Sequence, residues 1–145
     1  MDKITPTDAL LTLALLLDGD YFAMRDELHE RKLYEQIQDW FFWKGKIKSQ
    51  VVTAVSKNYP KFFMDSYEPP LVLFYYGNLS LLSKKYRLSC VGTRNPTIYQ
   101  RDRSYKMIKE AEEHFQNDLV IISGMAQGID QTCMKAAMEC NAPVV

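Results

Sequence analysis

The sequence predicts an α/β protein: an N-terminal helical domain over residues 1–66, followed by a partial parallel sheet over residues 67–145. Three observations carry this. The first part has little Pro or Gly and apolar residues at helical intervals. A consecutive Pro69-Pro70 then forces extended backbone and ends any helix. Beyond it, short apolar runs alternate with amphipathic stretches, the pattern of βα units.

Residues 7–58 read as helical, with Thr7 as N-cap and no strand pattern. Leu28, Leu33, Ile37, Trp40 and Phe41 recur at mostly three- and four-residue steps, which places them on one helix face. The aromatic cluster over residues 40–43 has two uses, as a base-stacking platform or as a helix-packing core. Its place inside a helical pattern favours packing. Residues 71–76 form an apolar run stopped by Gly77-Asn78 and read as a buried strand that opens the second domain.

The order is then strand 87–91, helix 98–116, strand 119–123, helix 128–140, and the start of a further strand at 143–145. Thr97 and Gln100 have the spacing of a capping box. Ser104, Tyr105, Ile108, Ala111 and Phe115 form the inward stripe of one helix, and Ile129, Cys133, Ala136, Ala137 and Cys140 that of the other. A parallel sheet needs both faces covered, so this series reads as a piece of a larger Rossmann-like domain.

Each of two strands runs into a glycine-bearing loop and then a helix: Gly92, Thr93 and Arg94 follow one, and Ser123, Gly124, Gln127 and Gly128 follow or end the other. Two such loops on one edge of a parallel sheet set backbone N–H groups and helix N-termini side by side, which is a site for phosphate. Arg94 adds a planar fork of donors that matches a phosphate, unless it pairs with a nearby acid such as Asp130. Asp130, in a helix first turn, reads as architectural. Arg101, Arg103 and Lys106 supply further charge near Arg94 or form a solvated face.

Composition narrows the function. Eighteen basic residues balance eighteen acidic ones, so any nucleic-acid binding must come from a local patch. Cys90, Cys133 and Cys140 lack CxxC spacing and fit buried thiols in a reducing cytosol. The apolar run at residues 9–17 is too short to span a bilayer and lacks the flanks of a signal peptide. No metal or cofactor site is expected, because the Cys and His spacings match no zinc signature. Catalysis is not expected either: Ser123 lacks a nucleophile elbow, Cys133 lies on a packing stripe, and His29 and His114 sit in acidic helical stretches.

Three blocks in order, at 69–78, 91–94 with Tyr99 following, and 123–130 with Ala136-Ala137 downstream, resemble the DNA-processing protein A (Smf) family. The likeness runs from about Pro69 to Val145. It implies a cytoplasmic, non-enzymatic protein that binds and protects single-stranded DNA, helps load the RecA recombinase, and acts as a homodimer when complete. It implies a DNA-backbone contact for Arg94 and a pocket of main-chain amides around Gly92, Thr93, Ser123 and Gly124. Thr97, Gln127 and Gly128 complete the expected DNA/phosphate-binding set. The sequence departs from the family at Gln127, where Lys or Arg is usual, at Gln100, where Gly is usual, and at Met134, where His is common. This less basic pocket keeps a second function open, a Rossmann-like sensor of a small phosphorylated nucleotide.

Overall fold

The computed structural model describes residues 3–145 and divides into two compact units, the first ending at Gly77 and the second beginning at Asn78. In the first, α1 (Pro6–Leu16) starts at Thr5, not at Thr7. The Thr5 hydroxyl accepts the Asp8 N–H while the Asp8 carboxylate accepts the Thr5 N–H, and Pro6 fills the first helical position, where no N–H partner exists to lose. α2 (Tyr21–Glu30) is capped by the Asp20 carboxylate and ends at Arg31, whose φ of 58° is left-handed.

Helix stops there, which corrects the expectation of helix to residue 58. Residues after Arg31 form consecutive turns held by side chains: the Tyr34 N–H donates to the Glu27 carboxylate, and the Trp40 carbonyl accepts from the Thr12 hydroxyl and the Trp43 indole. Helical spacing there records contacts made by turns. Trp40 is buried and Trp43 is engaged within the unit, so the aromatic cluster serves packing.

A strand also lies where none was expected. β1 (Gln50–Thr53) pairs antiparallel with β2 (Val72–Tyr75), Gln50 opposite Tyr75 and Thr53 opposite Val72. The run expected to lead the second domain from residue 67 therefore belongs to the first unit and to a hairpin-like pair, not to a parallel sheet. Val51 and Val52 are β-branched, and the partner that makes them a strand lies far along the chain.

The second unit follows the predicted alternation closely. β3 (Tyr86–Cys90) and β4 (Leu119–Ser123) pair in parallel, Tyr86 opposite Leu119 and Cys90 opposite Ser123. Val144 extends the parallel pairing from Ile121, with Pro143 and Val145 bonded to β4. α3 (Ile98–Phe115) and α4 (Ile129–Glu139) pack on each other and on the sheet. Ile108, Leu119, Ile121, Cys133, Ala136 and Ala137 form the buried centre, with Tyr105, Ala111 and Phe115 against it. The small residues of α4 let its backbone lie close, and the Tyr105 hydroxyl reaches the Glu139 carboxylate across the helix pair.

Candidate functional site

Parallel pairing of β3 with β4 brings the loops that leave their C-terminal ends, residues 91–97 and 124–128, to one edge of the sheet. They are fastened to each other. The Asp130 carboxylate, 4% exposed in the first turn of α4, accepts the Gly92 N–H at 3.2 Å, and the Thr93 carbonyl accepts the Ile129 N–H at 3.2 Å. Within the sheet edge, the Ser123 hydroxyl donates to the Cys90 carbonyl at 2.9 Å.

Two glycines are dictated by this fastening. A Cβ on Gly128 would stand 2.3 Å from the Thr93 carbonyl oxygen, and its φ of +100° disfavours any side chain. A Cβ on Gly92 would stand 2.7 Å from the Ile129 Cβ. Both loops thus approach so closely that backbone meets backbone.

The helix starts differ. α3 satisfies its own first turn: the Thr97 hydroxyl accepts the Gln100 N–H at 3.2 Å, and the Gln100 amide oxygen accepts the Thr97 N–H at 2.8 Å. α4 begins at Gly128 with no side-chain cap. Among the described residues, the N–H groups of Thr93, Arg94, Gly124, Met125 and Gln127 donate to no other residue. At the start of α4 the Ile129 and Gln131 N–H groups are taken by the Thr93 and Ala126 carbonyls, so the orphan loop amides are the donors that favour an anion.

The predicted site residues therefore sort into two sets. Thr93, Arg94, Gly124, Gln127 and Gly128 stand together around the loop edge, with Arg94 exposed and without a hydrogen bond or ion pair among the described residues. Its pairing with Asp130 does not occur, because Asp130 is committed to Gly92. In the second set, expected donors are used internally. The Gly92 N–H goes to Asp130, the Ser123 N–H to the Val145 carbonyl, and the Thr97 hydroxyl to its capping box. These three position the loops and are not free donors.

Asp130, expected as a helix-dipole partner, also reaches across to Gly92. No spacing signals that bond, since 38 residues separate the two. Below the loops, burial and the adjacent Cys133 thiol push the Cys90 thiol up to about 12, and burial raises that of Cys133. Neither is poised as a nucleophile. Among the described residues no group of His, Cys, Asp and Glu side chains is arranged to hold a metal ion, and no helix is long and apolar enough to cross a membrane.

Comparison with known proteins agrees with this architecture. Residues 50–145 match the profile of the DNA recombination-mediator protein A family, which reaches upstream of Pro69 to include β1. DNA processing protein DprA of Bacillus subtilis is 38% identical over 128 residues, covering 83% of this chain and 42% of its own length. The Streptococcus pneumoniae protein of the same name is 33% identical over 106 residues, covering 73% of this chain and 36% of its own. The chain thus spans less than half the length of these relatives. The crystal structure of the S. pneumoniae protein superposes with a TM-score of 0.66 at 26% identity, covering 95% of this chain and 51% of that one. A Helicobacter pylori DNA processing protein A structure, described for its single-stranded DNA binding mode, superposes at 0.51 and 25% identity over 63% of this chain and 40% of that one. With the matched profile spanning both loops and the strands that present them, this chain belongs to the DNA recombination-mediator protein A family.

Proposed function

We propose that the chain forms the phosphate-binding part of a single-stranded DNA-binding accessory of DNA uptake and homologous recombination. It has no catalytic role in this reading. The complete protein acts in the cytoplasm as a homodimer that protects single-stranded DNA and helps load the RecA recombinase. The observation that carries the reading is the donor array at the loop edge: unpartnered N–H groups of Thr93, Arg94 and Gly124 beside the unpaired Arg94 guanidinium. Fixed amide dipoles and one forked cation suit a phosphodiester, which carries a single charge per linkage. Such donors read no sequence, as a protein that coats DNA of any sequence requires.

A second reading rests on Gln127, exposed and neutral at the same edge: a pocket with so little charge also suits one small phosphorylated nucleotide. Salt separates the two, because a strand held at several phosphates binds less tightly as counterions are added, while a small ligand responds weakly. Fluorescence anisotropy of labelled oligo-dT at two salt concentrations is the test. Arg94→Ala is expected to weaken binding and to flatten the log–log salt slope by about 0.7, the share of one single-strand phosphate contact. Absence of oligo-dT binding at low salt, with saturable binding of a mononucleotide, would turn the assignment to the small ligand.

A further inference from the structure

We propose that the cleft beside the first loop is a nucleobase subsite in which the Tyr99 ring stacks on one base of a bound single strand. This rests on the DNA reading above and adds to it a contact with the base. Val91, Ile98 and Tyr99 are the most exposed large apolar side chains of the second unit, at 84%, 84% and 77%. None serves its core. The inward stripe of α3 passes through Tyr105, Ile108 and Phe115, and Tyr99 lies off it.

Tyr99 instead lines an open cleft of about 330 Å³, whose other walls include Gly92, Thr93, Gln100 and Arg103. That volume is near the lower end for small-ligand pockets and suits one planar ring system. Arg103 follows Tyr99 by one helical turn, so both stand on the same face of α3. It has no hydrogen bond or ion pair among the described residues and offers a second planar cation for a base or its phosphate. The Gln100 amide oxygen is held by the Thr97 N–H, which fixes that wall.

Continuity with the loop edge identifies the occupant. The cleft opens at Gly92 and Thr93, directly before Arg94, so a strand held by its phosphate at Arg94 brings a neighbouring base to Tyr99. Every base has a π-face, so stacking here adds affinity without sequence preference.

The test compares oligo-dT with an abasic oligomer of equal length, by anisotropy, for wild type, Tyr99→Ala, Tyr99→Phe and Arg94→Ala. Wild type is expected to bind oligo-dT about tenfold more tightly than the abasic strand, within the range of one base–aromatic stack. Tyr99→Ala should remove that preference while leaving abasic binding unchanged, and Tyr99→Phe should keep it. Equal loss on both strands in Tyr99→Ala, or no preference in wild type while Arg94→Ala still weakens binding, overturns the subsite and leaves the DNA reading standing. Failure of wild type to bind either strand overturns both. A change of oligomeric state in Tyr99→Ala with an unchanged dT-to-abasic ratio would make the cleft a protein contact and overturn the subsite.

Discussion

The two loops at the sheet edge solve the same problem in opposite ways. The first carries charge and closes its helix start with the Thr97–Gln100 capping box, so its helix spends its leading donors on itself. The second carries no charge and gives the start of α4 no side-chain cap, its first turn bonded instead to the Thr93 and Ala126 carbonyls, with Gly128 pressed against the Thr93 carbonyl and Asp130 reaching back to Gly92. The first loop supplies a cation with the Thr93 and Arg94 amides, and the second adds the amides of Gly124, Met125 and Gln127. Their division shows that free donors at such an edge need not be concentrated on one helix when the loops are locked in register.

Breaking that lock should have the largest effect. Gly128→Ala combines a 2.3 Å approach to the Thr93 oxygen with a φ of +100°. A loss of about 3 kcal/mol in denaturant unfolding is expected, from strained backbone plus forced separation of the loops. An alanine variant as stable as wild type would show the loops to be loosely joined. Asp130→Ala comes next. It removes the acceptor of the Gly92 N–H from a buried position and should cost about 2 kcal/mol, while Asp130→Asn, which keeps an acceptor oxygen, should recover part of this. Both variants should weaken oligo-dT binding beyond what Arg94→Ala does if register is what matters.

The capping box is the smaller contribution. Thr97→Ala should cost about 1 kcal/mol and leave the second loop unaffected, since its bonds close within α3. Amide hydrogen exchange should localise the change to the start of α3; protection lost equally at Gly92 would merge the two loops into one unit. The smallest effect at neutral pH concerns the thiols beneath both loops. Cys90 is raised from 9.0 to about 12 in the folded chain by burial and the neighbouring Cys133, so the stability it contributes is complete below about pH 9 and is lost as pH rises toward 12. Wild type should therefore lose more stability than Cys90→Ala between about pH 8 and pH 10, and iodoacetamide should modify Cys140, the more exposed thiol, first.

Legibility followed how local the physics is. In the second unit the expected helix 98–116 was found at Ile98–Phe115, strand 119–123 at Leu119–Ser123, and the Thr97–Gln100 cap as read. Each is decided by neighbours within a few residues. In the first unit the stripe through Ile37, Trp40 and Phe41 fitted a helix but belongs to turns, because Thr12 and Trp43 claim the Trp40 carbonyl. β1 was invisible for a related reason: four residues become a strand only when Val72–Tyr75 arrives to pair with them. At the candidate site the loops and Arg94 were read from the sequence, yet which amides are free was not.

By itself the sequence determined the βα alternation, the family, the capping box of α3 and the two glycine-bearing loops, since periodicity, capping chemistry and motif order act along the chain. Tertiary structure alone decided that β2 pairs with β1, that Asp130 takes the Gly92 N–H and leaves Arg94 unpaired, and that Tyr99 stands over a cleft. Those outcomes depend on hydrogen-bond partners far apart in sequence, and which of several donors and acceptors is satisfied is fixed only when the packed chain brings them within reach.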